Sequence, residues 1–292
     1  MVSLFLMTEK GFRVLSALID VKLHDLIDVV VIGRDEKVEN DYHQSIVTLC
    51  QEHDIDFQYH KDEISMKSAY AIAVSWRWMI ESNKETKLIV LHDSLLPKYR
   101  GFAPLVNALI NGERQIGVTA LYASENYDQG SIIAQERIRI TYPLKIQQAI
   151  NQICTCYEKL VVHLFNKIKE KENITGIPQN HDLASYSLWR DNKDYAIDWN
   201  NSAEFIVRFI NAVSYPYKGA STYLNDKLIR IDEAEEVADV EIINRDVGKV
   251  IFMQDGKPVV VCKSGLIKII KAIYVENNLS IFPLKKFRSR FS

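Results

Sequence analysis

The first half of the chain contains short apolar runs, and polar stretches with helical spacing follow several of them. Residues 28–33, 70–75 and 88–91 are three such runs. Runs of this kind are typical of strands buried on both faces, because no face is left for water. Strands that alternate with helices predict a parallel, doubly wound sheet. The expected fold class is therefore α/β.

Weaker patterns complete the prediction of secondary structure. Further strands are predicted at residues 3–7, 56–59 (an edge strand), 117–123 and 131–140. Helices are predicted at residues 12–18, 40–53, 104–111, 144–171 and 202–213.

Chain length and composition predict two domains. A chain of 292 residues exceeds the usual size of a single domain. We expect an N-terminal domain at residues 1–180, a connecting segment with a helix at residues 181–213, and a β-rich C-terminal domain at residues 214–292. Residues 176–180 have the turn chemistry of a linker. Residues 214–292 contain many short strand signals separated by turns, which predict a small antiparallel domain.

Charge and motifs exclude several classes of function. The formal net charge is −2, which gives no electrostatic support for extensive binding of nucleic acid. No Gly-x-Gly-x-x-Gly or P-loop motif follows a predicted strand, so the common nicotinamide and ATP enzymes are disfavoured. No apolar run is long enough to span a bilayer, and residues 2–7 are too short for a signal peptide. We therefore expect neither a nucleic acid nor a membrane as partner.

The four cysteines show no zinc-type spacing. Cys154 and Cys156 lie two residues apart on a predicted helix, so their side chains point to different faces. We predict no metal site and no disulfide, and a reducing, cytoplasmic compartment.

The most informative stretch is residues 88–101. Its apolar run ends at His92, Asp93 and Ser94. Ligands bind at the carboxyl ends of strands in an open parallel sheet, so His92 is placed where chemistry usually occurs. A single histidine is more often a surface or core residue, and the interpretation therefore depends on its neighbours.

Those neighbours resemble a known family. Residues 92–101 read His-Asp-Ser-Leu-Leu-Pro-Lys-Tyr-Arg-Gly and resemble the His-x-Ser-Leu-Leu-Pro-x-x-x-Gly signature of the folate-dependent formyltransferases. Tyr127-Asp128-Gln129-Gly130 resembles the family's Asp-x-Gly segment, at the family's distance from His92. Asp198-Trp199 and residues 214–220 resemble its Ile-Asp-Trp element and its Pro-Tyr-containing turn. The family includes methionyl-tRNA formyltransferase, the sugar-nucleotide N-formyltransferases and glycinamide ribonucleotide formyltransferase.

The resemblance implies a Rossmann-like formyltransferase catalytic domain at residues 1–180 and a barrel-like C-terminal domain. It also implies formyl transfer from 10-formyltetrahydrofolate to an amine, with His92 and Asp128 as catalytic residues. Imidazole titrates near neutrality, so His92 can take the proton of the amine. Asp128 would orient the ring and stabilise its charged form.

The sequence departs from the family at Val90, where the family carries asparagine. An apolar side chain cannot donate a hydrogen bond to an oxyanion. We expect protonated His92 to act as the donor instead. A backbone N–H, a protonated Asp93 or an ordered water are the less favoured substitutes.

The resemblance also implies binding residues. Trp76 and Trp78 flank Arg77 directly after a strand, where they could wall a flat pterin, and plain core packing is the alternative. Lys98, Arg100 and Arg77 are candidate phosphate or substrate contacts, and ordinary surface cations are the alternative. The predicted folate-binding residues are Trp76, Arg77, Trp78, Met79, Leu88, Val90, Ser94, Leu96, Tyr127 and Asp128. The predicted substrate-binding residues are Lys98, Arg100, Gly101, Trp189, Arg190 and Tyr215.

Within the family, the sugar-nucleotide N-formyltransferases are the most similar branch, judged by residues 98–102 and by the charge balance. The expected acceptor is a UDP- or dTDP-linked amino-dideoxy sugar, such as a 4-amino-4,6-dideoxyhexose. Its product would enter a bacterial surface glycan, such as O-antigen lipopolysaccharide, or a pseudaminic-acid-type sugar. A methionyl-tRNA formyltransferase and a non-catalytic folate- or nucleotide-binding relative remain as alternatives. The resemblance makes a homodimer plausible.

Overall fold

A computed structural model describes residues 1–36, 38–62, 68–80, 85–284 and 286–292. The strands are β1 (Val2–Leu6), β2 (Ile27–Ile32), β3 (Phe57–Tyr59), β4 (Tyr70–Val74), β5 (Lys87–His92), β6 (Arg100–Gly101), β7 (Gln115–Tyr122), β8 (Ile132–Arg139), β9 (Tyr186–Ser187), β10 (Ala220–Leu224), β11 (Lys227–Val237), β12 (Val250–Gln254), β13 (Lys257–Val261) and β14 (Leu266–Tyr274). The α-helices are α1 (Thr8–Asp20), α2 (His43–Glu52), α3 (Pro104–Ile110), α4 (Ile146–Lys169) and α5 (Ala203–Ala212).

The largest sheet has the strand order β3-β2-β1-β4-β5-β7-β8. Strands β3, β2, β1, β4 and β5 run parallel, whereas β7 and β8 are antiparallel to their neighbours. All five residues of β1 are buried, as expected for a central strand covered on both faces. The predicted fold class, a mostly parallel α/β sheet with a β-rich C-terminal part, is confirmed.

The apolar stripe of each long helix faces this sheet. Helix α1 buries Val14, Leu15 and Leu18, which follow helical spacing. Helix α4 buries Ile153 and Leu160 along its core-facing stripe. The hydrophobic core of this part therefore consists of the sheet and the apolar side chains of these helices.

The chain forms two compact units. The first contains Met1–Leu105, Arg114–Ile140 and Ala149–Leu188, and the second contains Val106–Glu113, Thr141–Gln148 and Trp189–Ser292. The domain boundaries predicted at residues 180 and 213 remain predictions. The structure places the main division between units after Leu188 and includes α5 in the second unit.

The second unit is built on an antiparallel sheet with the order β10-β11-β14-β13-β12. Helix α5 begins after Ser202, whose hydroxyl accepts a hydrogen bond from Phe205 N at 3.2 Å. This N-cap satisfies a backbone donor that the first helical turn leaves without a partner.

The four cysteines are free and buried. Burial raises the pKa values of Cys50, Cys154 and Cys262 to about 12. Within the described ranges, no helix is both long enough and apolar enough to cross a membrane.

Candidate active site

His92 and Asp128 meet at the carboxyl end of β5. His92 is the last residue of that strand, and Asp128 lies in the turn between β7 and β8. The distance from His92 Nδ1 to Asp128 Oδ1 is 3.4 Å, and the two side chains are 8% and 13% exposed. The two residues that the family motifs single out are thus in direct contact.

Asp128 is held in place by its surroundings. Its Oδ2 accepts a hydrogen bond from the backbone N–H of Gly101 at 2.8 Å. Its φ is 59°, in the left-handed region that aspartate tolerates better than most residues. At Gly130 an added Cβ would lie 1.7 Å from the carbonyl oxygen of Tyr122, so only glycine fits there. The turn therefore lies directly on the end of β7.

The His92 ring lies between two hydrogen-bond acceptors. Its Nε2 is 2.9 Å from the carbonyl oxygen of Tyr99, and its Nδ1 faces Asp128. A neutral imidazole has one N–H, whereas the doubly protonated ring has two. Only the doubly protonated ring can donate to both neighbours, so the arrangement suits a ring that accepts a proton.

Asp93, beside His92, belongs to a largely buried charge cluster. Its carboxylate pairs with Lys10 and accepts a hydrogen bond from the hydroxyl of Tyr157. Burial alone would raise the pKa of Asp93, but the attraction of Lys10, both hydrogen bonds and the nearby His92 outweigh it and lower the pKa below its ordinary value. Asp93 is therefore an ionised acceptor, which argues against its use as a protonated oxyanion donor.

An apolar surface leads along β5 to His92. Val90 and Leu88 pack with Trp76 against a buried cluster that includes Phe5. Alternate residues of a strand share a face, so Leu88, Val90 and His92 point to the same side of β5. Trp76 packs edge-on against Phe5 at 5.1 Å between ring centroids. Among the described residues, its buried Nε1 has no hydrogen-bond partner.

The other residues of the Trp-Arg-Trp-Met segment have further neighbours. Trp78 stacks on His60, with ring centroids 3.9 Å apart, and packs edge-on against Trp76 at 5.1 Å. Arg77 pairs with Asp35, whose side chain is 3% exposed. Met79 is 93% exposed. Trp76 is thus the member of this segment that the structure places against the apolar surface beside Val90.

Ser94 and Leu96 shape the loop after β5. The hydroxyl of Ser94 donates to the carbonyl oxygen of Lys98 at 2.7 Å. Leu96 is 4% exposed, and its N–H donates to Thr119 Oγ1 at 3.1 Å. Both side chains therefore have partners within the protein.

Gly101 and Tyr127 lie beside Asp128, and Lys98 lies in the same loop as Gly101. A Cβ at Gly101 would lie 2.5 Å from the carbonyl oxygen of Ser187 and 3.7 Å from Tyr127 Cε2. Tyr127 is 63% exposed and lies beside Phe102, with ring centroids 5.9 Å apart. Lys98 is exposed, and its role in substrate binding remains a prediction.

Arg100 does not fit the prediction that it contacts a substrate. It is 0% exposed. Its guanidinium donates twice to Gln179 Oε1, at 3.1 and 2.6 Å, and also to His181 Nδ1 and Tyr186 Oη, both at 3.3 Å. A guanidinium enclosed by protein acceptors cannot reach a phosphate. The prediction is corrected because a buried arginine needs internal partners.

Gln179 is a residue near the site that the sequence analysis missed. Its Nε2 donates to the carbonyl oxygens of Asp128 and Gly130, both at 2.8 Å. The stretch that contains it, residues 176–180, has the pattern of a linker. No local signal marks Gln179, because every one of these partners is distant along the chain.

Trp189, Arg190 and Tyr215 lie in the second unit. Trp189 and Tyr215 are 63% and 49% exposed. Arg190 donates to Asn107 Oδ1 at 3.0 Å and to the carbonyl oxygen of Asp194 at 3.1 Å, and burial lowers its pKa. It lines a cavity of about 240 Å³, and its buried Nε lacks a partner among the described residues. Their roles in substrate binding remain proposals.

Comparison with known families gives two matches. Residues 66–163 match the formyl transferase family, and residues 191–278 match the formyl transferase C-terminal domain. Together the two matches cover more than half of the chain, and they include Trp76, His92 and Asp128.

Individual relatives agree with these matches. Methionyl-tRNA formyltransferase of Kosmotoga olearia is 33% identical over 181 residues, which cover 62% of this chain and 57% of that protein. The match to another such enzyme, from Thermodesulfovibrio yellowstonii, covers 61% of its length. The chain thus spans less than two thirds of the curated relatives that it matches.

Solved structures share the fold. The N-formyltransferase of Helicobacter canadensis, crystallised with folinic acid and dTDP-3-aminofucose, superposes with a TM-score of 0.70 at 17% identity, covering 92% of this chain and 98% of that one. HypX of Aquifex aeolicus, in complex with tetrahydrofolic acid, superposes with a TM-score of 0.62 at 17% identity, covering 94% of this chain and 44% of that one.

Proposed function

Because the chain belongs to the formyltransferase family, we propose that it transfers a formyl group from 10-formyltetrahydrofolate to an amine. The observation that carries this proposal is the approach of His92 Nδ1 to Asp128 Oδ1, at 3.4 Å, at the carboxyl end of β5. This edge of a parallel sheet is where ligands bind in open α/β folds.

The residues present fit a folate donor, which supplies the formyl group when bound. The apolar surface beside Val90 suits a flat pterin ring. The buried Nε1 of Trp76 offers an N–H for an acceptor atom, and an unpaired buried donor costs free energy. Trp76, Leu88 and Val90 would therefore hold the pterin, while Ser94 and Leu96 keep the adjoining loop in shape.

His92 is the group that takes the proton lost by the attacking amine. Protonation gives its ring a second N–H, and both Tyr99 O and Asp128 can then accept a hydrogen bond. Asp128 balances the positive charge that the ring acquires. With Val90 in the family's asparagine position, the positive charge of protonated His92 is also our proposed source of stabilisation for the carbonyl oxygen as it gains charge, and it acts through space because Tyr99 O and Asp128 accept both N–H groups.

The proposed acceptor is a nucleotide-linked amino-dideoxy sugar. Three observations support this choice: the loop at residues 98–102, the net charge of −2, and the fold shared with an enzyme crystallised with dTDP-3-aminofucose. Lys98, Trp189, Arg190 and Tyr215 are the proposed contacts for the nucleotide and its diphosphate. Formylation would occur in the cytoplasm and supply a bacterial surface glycan, and the enzyme would act as a homodimer.

A second candidate acceptor is methionyl-tRNA. The observation that favours it is the 33% identity to methionyl-tRNA formyltransferases. Both candidate reactions use the same formyl donor and the same catalytic pair, so they differ only in the acceptor molecule that carries the amine.

The proposal is tested by incubating the protein with 10-formyltetrahydrofolate and either a panel of UDP- and dTDP-linked amino sugars or methionyl-tRNA. Mass spectrometry detects the addition of one CO unit to the acceptor. We expect a single class of amino-sugar nucleotide to gain this mass. Folate binding without any product would instead support the non-catalytic alternative.

His92→Ala tests the catalytic assignment. We expect kcat to fall by about 10²–10⁴-fold, the usual contribution of general acid–base catalysis. His163→Ala is the matched control because His163 is exposed on α4. A His92→Ala enzyme with the turnover of the wild type would refute the assignment.

A further inference from the structure

We propose that Gln179 is a positioning residue that holds Asp128 in the orientation that His92 requires. The catalytic role of Gln179 rests on the proposed formyl transfer, whereas the hydrogen bonds that hold Asp128 do not depend on it. Gln179 touches neither His92 nor the exposed surface beside it, and it acts through the backbone of the turn that carries Asp128.

The amide of Gln179 has its full complement of partners. Its Oε1 accepts two hydrogen bonds from Arg100, and its Nε2 donates to the carbonyl oxygens of Asp128 and Gly130. Arginine has only donors and a carbonyl has only lone pairs, so the amide cannot adopt the flipped orientation. Since the side chain is 7% exposed, water does not compete for these bonds.

Arg100 makes this amide rigid. Its side chain is fully buried and also donates to His181 and Tyr186, while its backbone N–H donates to Ser185 O at 2.8 Å. Buried hydrogen-bonded charges fix geometry because each lost partner is costly. Gln179 is thus anchored to an arginine whose other side-chain partners, His181 and Tyr186, lie outside the turn that carries Asp128.

Three consecutive residues connect the anchor with the catalytic pair. Tyr99 accepts from His92, Arg100 binds Gln179, and the N–H of Gly101 donates to the carboxylate of Asp128. One short segment therefore contacts the base, its carboxylate partner and the residue that holds the carboxylate's backbone.

Asp128 needs such a support because its backbone is left-handed, with φ of 59°. The left-handed region costs free energy for any residue with a Cβ, although less for aspartate than for most, so hydrogen bonds that hold the turn help to keep Asp128 there. The two Nε2 bonds fix the carbonyl of Asp128 and the carbonyl two residues later. Without them the turn can relax, and the carboxylate then leaves the 3.4 Å contact with His92.

The informative variant is Gln179→Glu. It keeps an oxygen acceptor for Arg100, and so preserves the buried pairing, but it replaces the N–H donors with an oxygen that repels both carbonyls. We expect kcat to fall by at least about tenfold, with the KM of both substrates within about twofold of the wild type. His181→Ala is the matched control: it removes a hydrogen-bond partner of Arg100 and leaves both Nε2 bonds of Gln179 in place, and kcat should stay within about twofold.

A double-mutant cycle separates positioning from general structural support. If Gln179 acts through Asp128, adding Gln179→Glu to the Asp128→Asn variant should lower kcat by less than about twofold. An equal loss in both backgrounds, or no loss in the wild-type background, would overturn the proposal.

A crystal structure of Gln179→Glu gives a readout that needs no activity. We expect Asp128 to leave the left-handed region and its carboxylate to move away from His92, and an unchanged Asp128 overturns the proposal. If the wild-type enzyme formylates no acceptor, the proposed function fails, but this structural test still decides the role of Gln179.

Discussion

At the scale of single residues, Val90 is the clearest departure from the family motif. It packs on the apolar cluster that also holds Trp76 and Leu88, on the face of β5 that leads to His92. In this position it contributes a wall and no hydrogen bond. Under the proposed function, stabilisation of the negative charge that develops on the carbonyl oxygen is therefore assigned to His92.

Val90→Asn tests whether an amide at position 90 adds to the stabilisation of the carbonyl oxygen that we assign to His92. An amide would restore a donor near the reacting carbonyl, and kcat should rise. The same amide would enter an apolar cluster, so the free energy of unfolding should fall by about 1–3 kcal/mol. Steady-state kinetics and urea unfolding measure the two effects.

Val90→Thr is the control for that experiment. Its hydroxyl has nearly the shape of the lost methyl group but too short a reach to serve as a donor. We expect a loss of stability without a gain in kcat. An asparagine variant that behaves like the threonine variant would argue against an oxyanion role at this position.

The pairing of Lys10 with Asp93 predicts a pH dependence of stability. The folded-state pKa of Asp93 lies below its ordinary value of 3.8. Its contribution is therefore fully present above that value and is lost as the pH falls through the lower, folded-state pKa. Urea unfolding between about pH 6 and about pH 2 should show a smaller decline for Asp93→Asn than for the wild type.

Two variants complete this test. Glu125→Gln changes an exposed carboxylate and should leave the pH dependence unaltered. Lys10→Met leaves Asp93 charged and without its cation, so the protein should lose about 3 kcal/mol of stability near neutral pH. A stable Lys10→Met protein would show that Tyr157 alone supports the carboxylate.

His92 and Asp128 could be found from the sequence because two motifs stand at a fixed separation. Arg100 could not be interpreted correctly, since a motif residue gives no information on burial. Gln179 could not be found at all, because its role depends on contacts with residues 100, 128 and 130 that only the folded chain creates. Long-range polar contacts are the part of the site that local patterns omit.

At the scale of elements, α4 shows where periodicity is informative. Its apolar residues recur at helical spacing, and the predicted helix at residues 144–171 corresponds to Ile146–Lys169. The short edge strand predicted at residues 56–59 is also present, as β3. The direction of the strands is harder to predict from the sequence. The alternation of apolar and polar residues predicts β7 and β8 as strands but does not show that they run antiparallel.

Leu160→Ala measures how much one residue of the α4 stripe contributes. Leu160 is 2% exposed, so its truncation should leave a cavity and cost about 2–5 kcal/mol. The exposed neighbour Lys159 provides the control, and Lys159→Ala should change stability by no more than about 0.5 kcal/mol. Equal losses in urea unfolding would contradict the orientation of this helix.

At the scale of the whole molecule, the charge balance bears on the choice of acceptor. With a net charge of −2 and a pI near 6.4, the chain lacks the broad positive field with which proteins attract nucleic acid. We expect unfractionated tRNA, added in excess, to leave the rate with an amino-sugar nucleotide unchanged at low salt. Inhibition that disappears steeply as salt is added would favour the methionyl-tRNA alternative.

Because all four thiols are buried, we expect the folded protein not to react with thiol reagents. Alkylation requires the thiolate, and burial denies both ionisation and access to Cys50, Cys154, Cys156 and Cys262. A brief pulse of a maleimide or iodoacetamide label would therefore mark molecules that have opened and spare the rest. Thiol labelling therefore measures the fraction of unfolded molecules, and it can do so at low protein concentrations and in mixtures where spectroscopy fails.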